Sequence, residues 1–158
     1  MIQVKILDPR AVLPQQGSPM SAGYDLVACI DQPLILKYGD KAALIPTGLA
    51  MFIESPGTVG LIFPRSGSAH KKGLVLGNSV AVIDADYQGE WYISAWHRGN
   101  GGEWNVLHGG IYFPDITIEP GERIAQVVFV PVIHPSFGIV TEFTNLSQRG
   151  QGGFGSTS

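Results

Sequence analysis

One cysteine in 158 residues, Cys29, leaves no partner for an internal disulfide and no cluster for a cysteine-ligated zinc ion. Charge is sparse as well. Asp, Glu, Lys and Arg make up 15% of the chain and the net charge is −3. That balance lacks the basic stripe needed to displace counterions from nucleic acid, although a few local arginines suffice for one nucleotide. No apolar run approaches membrane-spanning length, and the first ten residues alternate apolar and polar instead of building the apolar centre of a signal peptide. The expectation is a chain with no nucleic-acid and no membrane partner, in a reducing compartment. Helical periodicity is scarce too: the best stretch, 66–72, is barely two turns, with Ser66 as its candidate N-cap.

What the sequence has in quantity is punctuation, with 21 glycines and 11 prolines. Both weaken helix interiors, whereas short strands joined by tight turns absorb them. Hydrophobic residues reach 44%, enough for the core of one domain at this length. Period-two or short apolar runs fall at 2–7, 34–38, 42–45, 48–54, 59–63, 74–76, 80–83, 91–97, 116–118, 123–133 and 137–143. Pro120 and Gly121 suit the centre of a type II turn, and 38–40 and 55–57 read the same way. The pattern predicts an all-β sandwich or jelly roll with one short helix. Two stretches stand apart. Residues 99–115 are glycine-rich yet carry Trp104, Tyr112 and Phe113, and read as a long surface excursion. The tail, 149–158, is too glycine-rich to order itself, and its lone Arg149 and Phe154 have no use in a frayed end.

Several familiar motifs are near misses. Residues 77–81 (GNSVA) have the outline of a nucleophile elbow, but an apolar strand follows where a helix is required. The tail lacks the Gly-Lys-Ser/Thr ending of a phosphate loop. His70, His97, His108 and His134 show no metal-ligand spacing. A serine hydrolase, a P-loop enzyme and a zinc enzyme are all poor fits.

Five segments cohere instead: 21–26 (SAGYDL), 64–67 (PRSG), 77–90 (GNSVAVIDADYQGE), 121–126 (GERIAQ) and the tail. In this order, and over nearly the whole chain, they resemble the five motifs of the trimeric dUTPases. The resemblance implies a distorted jelly-roll subunit comprising residues 1–148, with 99–115 as a surface insertion. It also implies a homotrimer in which the mobile arm 149–158 closes over a neighbouring subunit's site. The reaction implied is Mg²⁺-dependent attack of water on the α-phosphorus of dUTP, giving dUMP and pyrophosphate. Such an enzyme keeps uracil out of DNA and supplies dUMP for dTMP synthesis, in the cytoplasm or, for a phage-encoded chain, the host's cytoplasm.

Residue by residue, the resemblance makes Asp84 the group that orients the attacking water and takes its proton. An aspartate after a strand is ordinarily a turn former, but a charge ending the apolar run 80–83 is awkward unless used. A hairpin from Asn78 to Tyr87 would offer backbone donors and acceptors to uracil, with the Asn78 amide adding one of each. Alone, Gly77-Asn78 is an ordinary turn, and an isolated Tyr87 reads equally as core. Within the motif Tyr87 packs on deoxyribose and leaves no room for a 2′-hydroxyl. Arg65, Ser66, Gly67 and Gln126 would meet the phosphates, and Asp25 would approach the metal through its waters. From the tail, Phe154 would stack on uracil, Arg149 would meet the γ-phosphate, and Gly152, Gly153 and Ser156 would add donors.

The departures are few. Ala81 stands where the family usually has glycine, Ser68 replaces the usual leucine, and 99–115 is longer than the usual connection. Its aromatics could cover an edge of the trimer or contact another protein. The rival expectations are a dCTP deaminase-type relative, which has a different second motif, and a nucleotide-responsive regulatory binding protein.

Overall fold

The computed structural model describes residues 1–105, 109–145 and 147–152. Strands dominate, as the density of turns requires. In chain order they are β1 (Gln3–Ile6), β2 (Gln15–Gln16), β3 (Tyr24–Val27), β4 (Leu34–Leu36), β5 (Ala43–Phe52), β6 (Thr58–Pro64), β7 (Leu74–Leu76), β8 (Ala81–Ile83), β9 (Glu90–His97), β10 (Glu103–Asn105), β11 (Gly110–Tyr112), β12 (Ile116–Ile118) and β13 (Arg123–Pro131). One sheet runs β1-β5-β9-β7 and a second runs β2-β3-β13-β6-β8, with β12-β4 and β10-β11 as small pairs. The result is an all-β, jelly-roll-like sandwich.

The core lies between the two large sheets. Strand β9 alternates cleanly, burying Trp91, Ile93, Ala95 and His97 while Tyr92 and Trp96 face outward. Leu26, Ile62, Ala125 and Val127 come in from the second sheet, and Leu36, Ile116 and Ile118 from the small pair. Trp91 is fully buried and its indole N–H donates to the Met51 carbonyl at 3.2 Å, so the large ring enters the core without an orphaned donor. Its ring edge packs tightly on Gly60, where a Cβ would lie 3.2 Å away and force a shift of a few tenths of an ångström.

Most expected strands are present, and the differences have physical reasons. The runs 42–45 and 48–54 merge into the single strand β5, whose register shifts between Pro46 and Ala50. Pro46 has no N–H to give and Gly48 takes a φ of +69°, so the strand bulges and continues. The turn at Pro120-Gly121 forms as expected, with Gly121 at φ +77° and the Glu122 N–H donating to the Glu119 carbonyl at 3.0 Å. Residues 66–72 are helical, with π winding over Ser68–Lys72, but no side-chain cap bonds its start, so Ser66 is not the N-cap expected of it. Residues 137–143 are not a strand. Strands need a partner edge, and here Phe137, Ile139 and Phe143 stand 93%, 105% and 84% exposed. The excursion at 99–115 contains a small hairpin, β10-β11, that turn signals alone did not reveal.

Candidate active site

Two cavities hold the residues singled out by sequence. The first, about 390 Å³, is lined by Gly17, Ser21, Gly23, Asp25, Arg65, Ser66, Gly67 and Gln126. Sheet register builds it. Gln126 on β13 stands opposite Asp25 on β3, and its neighbour Ala125 stands opposite Pro64, one residue before Arg65. Three distant segments are thereby placed within adjacent-strand spacing.

Asp25 sits between two guanidinium groups. Its Oδ1 accepts from Arg65 Nε at 2.7 Å and its Oδ2 from Arg123 Nη1 at 3.2 Å. Arg65 Nη1 also donates to the Arg123 carbonyl at 3.3 Å. The carboxylate thus fixes the orientation of both cations, and the three charges leave a net positive pocket that suits an anion. Gln126 Nε2 donates to the Pro64 carbonyl at 3.1 Å, which fixes the amide. Its Oε1 lies 2.5 Å from where a Cβ on residue 23 would stand, so only glycine at that position leaves the amide in place.

Arg123 is a member of this group that sequence reasoning missed. Strand periodicity puts residues 123 and 126 on opposite faces. A register shift between Arg123 and Ala125 adds one residue and turns Arg123 to the Asp25 side. Two consecutive buried residues, Ile124 and Ala125, are its signature in the fold.

The second cavity, about 250 Å³, is lined by Asn78, Ala81, Val82, Ile83, Asp84, Tyr87, Glu90, Trp91 and Tyr92. The segment from Asn78 to Tyr87 is not the self-paired hairpin expected from sequence. Strand β8 pairs with β6 and is the edge of its sheet, so among the described residues its other backbone edge is free. A free strand edge offers alternating donors and acceptors, which is the chemistry a pyrimidine edge needs. The approach is a tight turn, with the Gly77 N–H donating to the Ser94 carbonyl at 2.8 Å and Ser79 at φ +62°. Tyr87 folds back over its own turn. Its N–H donates to the Asp84 carbonyl at 3.2 Å and its hydroxyl to the Glu90 carbonyl at 2.9 Å. A Cβ at Gly89 would lie 2.5 Å from that hydroxyl, so the glycine makes room for the ring. The Glu90 carboxylate accepts a hydrogen bond from the Tyr92 phenol and pushes it above its ordinary pKa. Asp84 is exposed and also borders a larger cavity of about 690 Å³ with Phe52, Glu54 and His134.

The two cavities share no lining residue. Ile83 stands opposite Gly60, so Asp84 lies level with Val59, while Arg65 follows the far end of the same strand. Six residues of extended chain are about 20 Å. One chain therefore gathers Asp25, Arg65, Ser66, Gly67 and Gln126 in one cavity and Asn78, Asp84 and Tyr87 in another that runs along β8. Because Ala81 stands opposite Ile62, Asn78 lies toward the Arg65 end of β6 and Asp84 at the opposite end. Arg149 joins neither group: its Nε donates to the Gly152 carbonyl at 2.8 Å in a local turn. Gly153, Phe154 and Ser156 lie outside the described residues, as does His108.

The other groups of note are structural. His97 is 1% exposed; Nδ1 accepts from the Gly99 N–H at 3.0 Å, so Nε2 carries the proton and donates to the Pro114 carbonyl at 2.9 Å. Burial pushes the Cys29 thiol up, away from the reactive thiolate. Asp8 is held far below the usual carboxylate range by its hydrogen bonds to Arg10, which also pairs with Asp31.

A fold of this kind with an anion pocket and a pyrimidine-sized pocket defines a nucleotide-handling protein, and the comparisons make the class specific. A family model for dUTPase matches residues 10–158. A deoxyuridine 5'-triphosphate nucleotidohydrolase of Tolumonas auensis is 49% identical, covering 99% of this chain and 96% of the relative. One from Aeromonas hydrophila is also 49% identical, covering 99% and 95%. Among solved structures, a mutant dUTPase of Staphylococcus bacteriophage 80alpha with dUpNHpp aligns at a TM-score of 0.83. It is 32% identical and the match covers 100% of this chain and 98% of that one. A mutant dUTPase from phage phi11 of S. aureus, described with a structural Mg(II) ion, aligns at 0.73 with 30% identity over 92% and 99%. The chain belongs to the dUTPase family.

Proposed function

We propose that this protein hydrolyses dUTP to dUMP and pyrophosphate at a site completed between copies of the chain. The observation that carries the reading is the separation of the two cavities, which share no lining residue. Asp84 lies level with Val59, so its carboxylate stands about 20 Å along β6 from Arg65. A nucleoside triphosphate that meets both residues at its phosphates takes its phosphate pocket and its nucleoside pocket from different copies. A homotrimer with threefold exchange provides this arrangement three times over. The bare apolar run at 137–143 supports the same association, since monomers rarely leave such segments uncovered.

In the complete site, Asn78 and the free edge of β8 bind uracil by its polar edge. Cytosine leaves buried donors facing donors and is rejected on that account. Tyr87, fixed by Glu90 and Gly89, packs against deoxyribose and excludes a 2′-hydroxyl. Arg65, oriented by Asp25, neutralises phosphate charge, and Ser66, Gly67 and Gln126 donate to phosphate oxygens. Asp84 orients water for in-line attack on the α-phosphorus and takes its proton as the P–O bond to the leaving pyrophosphate breaks.

The first cavity fits Mg²⁺ carried in by the triphosphate. Its donors are hard oxygens, the Asp25 carboxylate and the Gln126 Oε1 facing Gly23, and among the described residues no cluster of three or more acids, histidines or cysteines forms a cage. Bound there, Mg²⁺ would supply further neutralisation of phosphate charge, with Asp25 and Gln126 reached through its waters. Arg149, Gly152, Gly153, Phe154 and Ser156 form an arm, 149–158, that closes over a neighbour's site, with Phe154 on uracil and Arg149 at the γ-phosphate. Residues 1–148 form the single domain and 99–115 its surface insertion.

Incubation of purified protein with dUTP, UTP and dCTP in Mg²⁺, with separation of products, tests the reaction. The expected result is dUMP and pyrophosphate from dUTP, little from UTP and no deamination of dCTP. A solution mass of one chain, with full activity at that mass, would overturn the shared site.

A further inference from the structure

The helical segment after Arg65 is not held in place by a buried face. None of Ser68–Lys72 is buried, and the winding is of the rare π type. Its start carries Ser66 and Gly67, which line the anion cavity, and the Ala69 N–H donates back to the Arg65 carbonyl at 2.9 Å. A five-residue helix with no buried residue drifts unless something ties it.

The tie comes from the first residues of the 99–115 excursion and the one before it. Asn100 Nδ2 donates to the His70 carbonyl at 2.7 Å and to the Lys71 carbonyl at 2.9 Å. Arg98 Nη2 donates to the Ala69 carbonyl at 3.1 Å, and the Arg98 N–H to the Gly73 carbonyl at 3.1 Å. With the Gly73 N–H, which donates to the Ala69 carbonyl at 3.2 Å, they occupy the Ala69, His70 and Lys71 carbonyls at the helix end. The fit is close: Gly73 takes a φ of +76°, and a Cβ there would lie 2.8 Å from the Asn100 Cβ. Lys72 adds an ion pair to Glu122 at 2.9 Å.

Asn100 is itself on a firm mount. His97 bridges the Gly99 N–H and the Pro114 carbonyl, drawing the two ends of the excursion together. The Tyr38 ring fills the space between them, 4.1 Å from the Phe113 ring centroid and 6.0 Å from that of His97. A Cβ at Gly99 would meet the Tyr38 ring at 2.8 Å.

We propose that Asn100, assisted by Arg98, is a positioning residue for Ser66 and Gly67, so that the base of the excursion sets where these two meet the substrate's phosphates. This rests on the phosphate reading of the first cavity. The excursion is then part of the phosphate-binding apparatus, although Asn100 touches no substrate.

The test compares the intact wild-type protein with Asn100→Ala, Asn100→Asp and Arg98→Met. It reads the binding of dUpNHpp, inhibition by deoxyuridine, KM and kcat for dUTP, and the thermal midpoint. Loss of two neutral hydrogen bonds is expected to weaken dUpNHpp binding about five- to tenfold in Asn100→Ala and to raise KM similarly. Deoxyuridine, which has no phosphate, should inhibit unchanged. Asn100→Asp keeps the shape but turns a carboxylate on two carbonyls, so its loss should equal or exceed that of Ala. An equal loss for deoxyuridine and dUpNHpp would overturn the proposal in favour of general damage, as would an Asp variant that binds like wild type. Ser66→Ala separates the two layers. If it also leaves dUpNHpp binding intact, the phosphate reading fails; if it weakens binding while Asn100→Ala does not, the positioning role alone fails.

Discussion

Replacing Asp25 by asparagine removes one charge from the centre of the anion pocket and leaves the shape unchanged. The structure allows the cost to be worked out. The bond to Arg65 Nε is 2.7 Å, with side-chain exposures of 31% for Arg65 and 13% for Asp25. Charge-assisted bonds contribute about 1.5–3 kcal/mol against about 1 kcal/mol for neutral ones, so this bond should lose about 1 kcal/mol. The bond to Arg123 is 3.2 Å and the arginine side chain is 58% exposed, so solvent reduces that contribution to a few tenths of a kcal/mol, roughly. The sum is about 1–2 kcal/mol, or a fall of about 3–6 °C in thermal midpoint for a domain of this size. Function should suffer more than stability, because Arg65 loses the partner that aims it. Calorimetric melting without ligand, together with KM for dUTP over a Mg²⁺ titration, provides the assay. KM should rise about tenfold, and the Mg²⁺ needed for half-maximal rate should rise with it. An Asp25→Asn protein that melts and binds dUTP like wild type would refute the claim that this carboxylate orients the two arginines.

Asp84→Asn should still bind dUpNHpp but turn over dUTP at least about a hundredfold more slowly, measured by pyrophosphate release under saturation; wild-type turnover would remove Asp84 from the chemistry. Gly89→Ala places a methyl group where the Tyr87 ring lies, so the ratio of kcat/KM for dUTP over UTP should fall; an unchanged ratio would detach Tyr87 from sugar selection. The Tyr92 phenol, raised above its ordinary value of 10.0 by its hydrogen bond to Glu90, contributes stability that is complete below that value and lost as pH climbs through the higher folded one. Thermal midpoints measured across alkaline pH should therefore decline less steeply in Tyr92→Phe, and parallel curves would contradict the hydrogen bond.

The sequence made much of this legible because strands and turns leave local signatures. Pro120-Gly121 announced its turn, and the run 91–97 announced a strand, though not that His97 would be buried while Trp96 faces outward. The anion pocket was legible as residue types, since Asp25, Arg65 and Gln126 each sit in a recognisable segment. Its internal pairing was not, because ion pairs depend on register, and the bulge that brings Arg123 to Asp25 leaves no mark in a period-two pattern. The same limit explains residues 137–143. Their apolar alternation has the composition of a strand, but strand formation depends on a partner edge, and composition does not say whether the chain supplies one. The excursion read as decoration for a related reason. The two carbonyls that Asn100 holds are about thirty residues upstream, and no local pattern links an asparagine to the end of so distant a helix.

The two cavities have no lining residue in common, and that has a consequence if the proposed sharing holds. Turnover would then belong to the assembly, and it would fall away on dilution below the concentration at which copies associate. Copies damaged in different cavities would retain complementary halves, so a mixed assembly would keep some intact sites that neither parent could form.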